Sequence, residues 1–267
     1  MSRGVSYTLA DFRKANDAQV LGALTVSVAS TGIQTTRTTQ IDSWKQQIQI
    51  LRRTATELIE ANPAAASWHL ILEYELPRRQ KRPDAVLLAS DVILVVEFKV
   101  GANSFDASSR WQTEDYCLNL RDFHAESLGR SIVPVLCATA AAVSQNASVQ
   151  IVGSVAPVQF ANAENLSEVL TAAHRLASQS GAAAIGPRKW IESAYRPTLS
   201  VIEAAERLYG CHGVREISHS YASNLYETTD MLAKVIRDAR ANGTRHVCFV
   251  TGVPGAGKTL TGLNVVH

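Results

Sequence analysis

The stretch PDAVLLASDVILVVEFK, residues 83–99, contains two apolar runs that are separated only by Ser90-Asp91. Each run has the length of a strand, so the stretch predicts a β-hairpin with a tight turn. In an antiparallel pair, the numbers of facing residues add to a constant, which is 181 for a loop centred on these two residues. Asp84 and Glu97 then face each other with Cβ atoms about 5 Å apart. Lys99 lies two residues beyond Glu97 and therefore on the same face.

The facing carboxylates predict a metal site. Two like charges directly opposite each other destabilise a sheet, and a divalent cation between them reverses the sign of that interaction. Mg²⁺ or Mn²⁺ held by Asp84 and Glu97 would activate water and stabilise charge on a phosphate. Lys99 would hold the attacking water or neutralise phosphoryl oxygens. Glu75 is expected to join the same row as a third metal ligand if the preceding turn is centred near Arg79-Gln80.

The flanking sequence predicts an α/β fold: a helix, a three-strand antiparallel meander, a second helix and a further strand. The first forty residues are mixed and polar, and no helix or strand is predicted in them. Apolar residues recur at helical spacing from Ile41 until Asn62-Pro63 stops the pattern, with Asp42 or Ser43 as a possible cap. The other predicted helices are 110–127, 162–178, 198–209 and 222–241, and the predicted strands before residue 180 are 68–76, 83–89, 92–100, 132–138 and 149–160.

At these residues the chain resembles the PD-(D/E)xK nuclease superfamily. Pro83-Asp84 and Glu97-Phe98-Lys99 match the motif of that name, and Gln112 with Tyr116 matches the QxxxY helix motif of its RecB-like branch. The resemblance covers about residues 41–140. It implies a Mg²⁺-dependent hydrolase of nucleic acid, DNA rather than RNA, in which all five of these polar residues serve the catalytic site.

Other interpretations of the same residues stay open. Asp84 and Glu97 could be charges at a solvated strand end, paired with Lys99 and with the basic residues Arg78, Arg79, Lys81 and Arg82. That basic cluster could contact phosphates, although such clusters are more often solvated turns. Trp111, next to Gln112, could stack on a base, although packing in the core is the commoner role of a tryptophan.

A second motif lies near the end of the chain. GVPGAGKT, residues 252–259, matches the phosphate-binding loop G-x-x-x-x-G-K-[ST], and the β-branched run 245–251 before it predicts a strand leading into the loop. TLTGLNVV after it predicts a helix. The backbone would cradle phosphate oxygens, with Lys258 reaching the β and γ phosphates and Thr259 binding Mg²⁺. The predicted nucleotide-binding residues are Gly252, Gly255, Ala256, Gly257, Lys258 and Thr259.

Residues 195–267 resemble the start of the Schlafen-like DNA/RNA helicase domain, which contains a P-loop ATPase. We therefore expect a nuclease-like domain over 1–180, a linker and helical segment over 181–243, and the truncated start of a helicase domain over 244–267. The sequence stops nine residues after Lys258, before any Walker B acid. ATP binding is accordingly expected to be weak or absent, and ATP hydrolysis to require a longer parent protein.

Composition narrows the class of protein. Twenty-six basic and 24 acidic residues exclude a strongly basic nucleic-acid coat and an acidic disordered tail. No stretch has the length and apolar content of a membrane span, and the four cysteines lack CxxC spacing, which argues against zinc and iron–sulfur sites. We expect a soluble cytoplasmic protein with buried thiols. Two alternatives to a nuclease remain: a catalytically silent nucleic-acid-binding module and a nucleotide-regulated switch protein.

Overall fold

The fold is described by a computed structural model over residues 4–29, 38–76, 81–142, 154–179, 181–195, 222–252 and 258–266. It separates into two units. The larger unit contains residues 1–121 and 129–193, and the smaller contains residues 122–128 and 194–267. The functional boundaries expected at residues 180 and 243 stay a prediction.

A mixed β-sheet forms the centre of the larger unit, so the predicted α/β class is confirmed. In the described residues the sheet has six strands that lie side by side in chain order. Strands 1 to 4 are antiparallel neighbours, and strands 5 and 6 continue the sheet in parallel. The strands are β1 (Val5–Thr8), β2 (His69–Leu72), β3 (Ala85–Ala89), β4 (Val92–Lys99), β5 (Ser131–Ala138) and β6 (Gln159–Ala161).

Helices cover both faces of this sheet. The helices of the larger unit are α1 (Leu9–Lys14), α2 (Asp17–Ala29), α3 (Thr38–Ala61), α4 (Ala107–Phe123, whose last two residues fall in the smaller unit), α5 (Leu166–Ala177) and α6 (Pro187–Ile191). Side chains of α1, α2, α3 and α5 form one core with the sheet. Those of α4 and α6 form a second core on the opposite face. Because both faces are covered, β3 and residues 92–96 of β4 are apolar on both faces rather than alternating.

The hairpin of β3 and β4 has the predicted register. Ala85 pairs with Val96 and Ala89 with Val92, which confirms the constant of 181 and the two-residue loop. Ser90 takes a left-handed conformation, with φ of 57°, which lets the chain reverse in so short a loop. Helix α4 then connects β4 to the parallel strand β5, the crossover that parallel pairing needs.

The amino-terminal segment differs from expectation, because it contributes to the core. Strand β1 adds an edge to the sheet beside β2, and Thr8 caps α1 by accepting a hydrogen bond from the backbone N–H of Asp11. The side chains of Phe12, Val20 and Leu24 are buried in the core beneath α3. Polar residues between them conceal a sparse apolar face, which the overall composition of the segment does not reveal.

Element ends differ modestly from the predictions. Helix α3 begins at Thr38, before the caps proposed at Asp42 and Ser43, and it ends at Ala61 as Asn62-Pro63 predicted. The strand predicted over 149–160 overlaps β6 (Gln159–Ala161) only at residues 159 and 160, and residues 149–153 lie outside the described residues, as does the helix predicted over 198–209. No helix in the described ranges is both long and apolar enough to cross a bilayer.

In the smaller unit, α7 (Ala222–Asn242) packs against α8 (Lys258–Val266), so the helix predicted after the phosphate-binding motif is confirmed. The strand predicted over 245–251 is wrong. Those residues have no regular structure, and Val247 and Phe249 are 82% and 88% exposed. A strand requires a neighbour for its N–H and C=O groups, and the described residues of this unit contain no other strand.

The cysteines fit the expectation of buried thiols only in part. Cys117 and Cys137 are buried and free, and burial raises the pKa of both thiols, that of Cys137 to about 12. Cys248 is exposed, because the segment that contains it does not join a sheet. Cys211 lies outside the described residues.

Candidate functional site

A row of three acids crosses the end of the central strands. The β2–β3 ladder pairs Leu72 with Ala85, and the β3–β4 ladder pairs Ala85 with Val96. One step further along each ladder, Glu73, Asp84 and Glu97 therefore lie side by side, and the backbone N–H of Glu73 donates to the carbonyl of Asp84 at 3.0 Å. The predicted juxtaposition of Asp84 and Glu97 is thus observed, with Glu73 as the third acid.

The expectation that Glu75 joins this row is wrong. The turn between β2 and β3 is centred one residue earlier than predicted, which moves the partner of Asp84 from position 75 to position 73. Glu75 instead accepts a hydrogen bond from Arg82 at 3.3 Å. A shift by two residues keeps side chains on the same face, so the apolar pattern of the strand fits both registers equally well. Glu73 and Glu75 are two residues apart and therefore share a face of the strand, and this shared face was the only indication that Glu73 could join the row of acids.

Lys99 and Gln112 complete the polar cluster around Glu97. The ammonium group of Lys99 donates to Oε1 of Glu97 at 2.9 Å and to Oε1 of Gln112 at 3.0 Å. Nε2 of Gln112 donates to Oε1 of Glu97 at 2.9 Å and to the hydroxyl of Tyr116 at 2.6 Å. The structure therefore brings together all five residues predicted at the catalytic site, with Tyr116 one contact further from Glu97 than the others.

These side chains meet because two elements converge at one place. Odd-numbered residues of β4 face helix α4, so Glu97 and Lys99 point towards it. Gln112 and Tyr116 lie four residues apart in that helix and share one of its faces. The four-residue spacing of the QxxxY motif thus lets one amide contact both the tyrosine and the acid of the adjacent strand.

The acids open into a cleft of about 440 Å³. Helix α3 forms its other wall, and Nε1 of Trp44 bridges the two walls by donating to Oε1 of Glu73 at 2.7 Å. The position of α3 at this cleft was not predicted. The residues lining the cleft are Gln40, Ser43, Trp44, Gln47, Glu73, Asp84, Glu97, Phe98, Lys99, Val100, Ala102 and Asp106.

Burial raises the pKa of all three acids, and repulsion from neighbouring acids adds to it for Asp84 and Glu73. The pKa of Asp84 lies well above its ordinary value because its carboxyl is desolvated and because Glu97 and Glu73 lie nearby, although the residue keeps partial surface exposure. Burial also raises the pKa of Glu97, against the opposing charge of Lys99, and that of Glu73, against the hydrogen bond from Trp44. These acids therefore hold their protons more firmly than free carboxyl groups do.

One atom of this cluster fits a bound cation. Glu97 is 5% exposed, and its Oε2 is buried without a hydrogen bond of normal geometry, although Oε1 has two donors. Asp84 uses Oδ2 to accept the backbone N–H of Phe98 at 2.7 Å. Carboxylate oxygens are the donors that Mg²⁺ prefers. Among the described residues, no group of three or more acidic, imidazole or thiol side chains is placed to hold a metal ion.

The basic residues beside the site are engaged in ion pairs. Lys81 lies 3.1 Å from Asp115 of α4, and Arg82 pairs with Glu75; Arg78 and Arg79 lie outside the described residues. Contact of this cluster with phosphate stays a prediction. The expectation that Trp111 packs in the core is wrong, because its side chain lies on the outer face of α4 and is 70% exposed.

The phosphate-binding motif is described only at its ends. Gly252, Lys258 and Thr259 are described, whereas Gly255, Ala256 and Gly257 lie outside the described residues. Lys258 begins α8, and its ammonium group donates to the carbonyl of Gly252 at 2.7 Å. This contact spans the motif from its first glycine to its lysine.

Comparison with known proteins adds no name to this site: no protein-family model, no curated protein and no solved structure matches the chain significantly.

Proposed function

We propose that this chain is a metal-dependent nuclease whose catalytic site is the cluster of Asp84, Glu97 and Lys99. The observation that carries the proposal is the convergence of two facing acids with a lysine at the wall of a cleft. Acids and a lysine in this arrangement suit phosphodiester hydrolysis, because that reaction needs a bound cation, a positioned water and neutralisation of phosphate charge. The substrate is nucleic acid, DNA rather than RNA, as the resemblance to PD-(D/E)xK nucleases implies.

Asp84 and Glu97 would hold Mg²⁺ or Mn²⁺, which supplies an activated water and stabilises charge on the phosphate. Lys99 is already directed by Glu97 and Gln112, so its ammonium group is oriented without a search among rotamers. Its charge would favour the phosphoryl oxygens of the strand that is cut. Gln112 and Tyr116 act behind it as positioning residues, since Gln112 contacts Lys99 and Glu97, Tyr116 contacts Gln112, and neither lines the cleft.

A cleavage assay tests this proposal. Single- and double-stranded DNA and RNA are incubated with the protein in Mg²⁺, in Mn²⁺ and in EDTA. Cleavage is expected with either metal and not in EDTA, and Asp84→Asn or Glu97→Gln should lower it by at least about 100-fold. Glu57→Gln is the matched control, because Glu57 lies on α3 outside the cleft and pairs with Arg53.

The outcomes separate the alternatives. Nucleic acid bound but not cut with any metal would favour the silent binding module over the nuclease. Cleavage that persists in Asp84→Asn and Glu97→Gln would remove this site from the mechanism. A chain that neither binds nor cuts nucleic acid would leave the nucleotide-regulated switch as the better proposal.

For the smaller unit we propose the beginning of a P-loop ATPase of a DNA/RNA helicase, with ATP and Mg²⁺ as its ligands in a longer parent protein. Its support is the complete motif of residues 252–259 followed directly by α8. In this chain nucleotide affinity should be weak, because Lys258 must first leave the carbonyl of Gly252 and the residues before the motif are exposed. Lys258→Ala should leave nuclease activity unchanged, and calorimetry with ATP and Mg²⁺ measures binding. Lys258-dependent ATP hydrolysis by the 267-residue chain would contradict this expectation.

A further inference from the structure

The wall of the cleft opposite the acids is made of neutral polar side chains. Gln40, Ser43 and Gln47 of α3 line the cleft together with Trp44. Their spacing of three, four and seven residues from Gln40 places them on one face of the helix. Neither this stripe nor its place beside the acids belongs to the motifs described above.

Gln47 is the most buried of the neutral polar residues in this stripe. Its residue is 9% exposed, and within the described part of the chain its side-chain amide has no hydrogen-bond partner. The polar atoms of Gln47 are not among the buried atoms that lack a partner, so the amide is open to water or to a ligand that enters the cleft. The open side of Gln47 is the cleft.

The position of Gln47 relative to the acids is held by a neighbouring contact. Trp44, one helical turn before it, is buried in the core and donates to the carboxylate of Glu73. Glu73 in turn belongs to the row with Asp84 and Glu97. Gln47 therefore lies on a helix that the Trp44 contact holds against the row of acids, and it lines the same cleft as they do.

The chemistry of an amide suits this position better than a charge. A lysine here would be drawn into ion pairs with the three acids, and a fourth carboxylate would repel a phosphate. An amide adds no net charge, and its NH₂ group offers two donors to oxygens that accept only. A phosphodiester that enters between the walls would have a cation site on one side and amide donors on the other.

We infer that Gln47 is a substrate-contacting residue that donates from Nε2 to a phosphate oxygen of the nucleic-acid strand in the cleft, with Gln40 and Ser43 extending the same wall. This inference rests on the proposed nuclease function and adds to it the surface that holds the strand. Phosphate rather than a base edge is assigned, because the acids and Lys99 on the facing wall serve a phosphate.

Binding without cleavage tests the inference. A short fluorescein-labelled single-stranded DNA is titrated with the full chain in Ca²⁺ and in EDTA, and its fluorescence anisotropy is measured. Gln47→Ala should weaken binding about tenfold in both solutions, as expected for the loss of one hydrogen bond to a charged group. Gln49→Ala is the matched control, because it removes the same amide from an exposed position of the same helix and should bind as the wild type does.

Gln47→Glu keeps the size of the side chain and serves if Gln47→Ala fails to fold. It should weaken DNA binding more than Gln47→Ala does, through repulsion of the phosphate. If both Gln47 variants bind DNA with the affinity of the wild type, the inference is overturned. It is also overturned if Gln47→Glu binds Mg²⁺ more tightly than the wild type while its affinity for DNA is unchanged. If the wild type binds and cuts DNA in such a case, only the inference fails. A wild type that does neither overturns the nuclease function as well.

Discussion

Nε1 of Trp44 donates a hydrogen bond of 2.7 Å to Oε1 of Glu73, a residue 29 positions further along the chain. Both residues are buried, and the backbone of Glu73 takes a left-handed φ of 50° just after β2. The indole thus supplies a hydrogen-bond donor to the buried carboxylate of Glu73, whose neighbours in the row are two further acids. It also connects helix α3 to the row of carboxylates, so one contact fixes both walls of the cleft.

Trp44→Phe should lower the free energy of unfolding by about 1–3 kcal/mol, because it leaves the buried carboxylate of Glu73 without this donor while retaining an aromatic ring. Urea unfolding followed by circular dichroism measures the loss. Trp111→Phe is the control and should change stability by less than about 0.5 kcal/mol, since Trp111 is 70% exposed. Equal stability of the two variants would show that the Trp44–Glu73 bond has no net effect.

Asp84→Asn should stabilise the protein in EDTA by about 1 kcal/mol, because it removes one of three acids that repel each other in a desolvated row. Asparagine keeps a carbonyl that can accept the backbone N–H of Phe98. In Mg²⁺ the wild type should become the more stable of the two proteins, since the ion stabilises only a folded chain that binds it.

Thermal unfolding of the wild type and of Asp84→Asn in EDTA and in Mg²⁺ measures both effects. Asp42→Asn, an exposed acid paired with Lys45, should behave as the wild type does. A variant that is less stable than the wild type in EDTA would mean that Asp84 is stabilised, not strained, by its surroundings.

Tyr116→Phe should reduce nuclease activity by no more than about tenfold, against at least about 100-fold for Glu97→Gln. Its hydroxyl contacts Gln112, which contacts Glu97 and Lys99, so the change reaches the reacting groups only through another side chain. Gln112→Ala should have the larger effect of the two, because it removes a direct contact with Lys99. Rates over a range of substrate concentration separate kcat from KM. Loss of activity in Tyr116→Phe as complete as in Glu97→Gln would assign the hydroxyl a direct chemical role.

Asp91 in the β3–β4 loop predicts a pH dependence of stability. Its buried carboxylate accepts hydrogen bonds from the hydroxyl of Ser178 and the backbone N–H of Gln179, at the end of α5. Burial alone would raise the pKa of Asp91, but the bonds from Gln179 and Ser178 outweigh it and lower that pKa. A lowered pKa in the folded state means that the stabilisation is present above the unfolded pKa, about 3.9. It is lost as the pH falls through the folded value.

Asp91→Asn should therefore cost about 1–3 kcal/mol at neutral pH, and the difference from the wild type should shrink below about pH 4. Urea unfolding at a series of pH values measures this. Asp42→Asn, which lacks such bonds, supplies the reference curve. A difference that is constant with pH would exclude the charge of Asp91 as its cause.

Much of the site was predictable because it depends on a short loop. Two residues between β3 and β4 leave one register, and this register alone makes Asp84 face Glu97. The same reasoning failed between β2 and β3, where the longer connection leaves registers that differ by two residues. Both keep the apolar side chains buried, so the sequence could not distinguish Glu73 from Glu75.

Local spacing was enough to predict three features: the β3–β4 hairpin, the helix after the phosphate-binding motif, and the shared helix face of Gln112 and Tyr116. The tertiary structure alone decided which distant groups meet. It brought α3 over the acids through Trp44 and Glu73, and it left residues 245–251 without a sheet despite their strong β-propensity. The physical reason is that spacing defines the face on which a side chain lies, whereas the partner on that face depends on packing and on hydrogen-bonded neighbours from elsewhere in the chain.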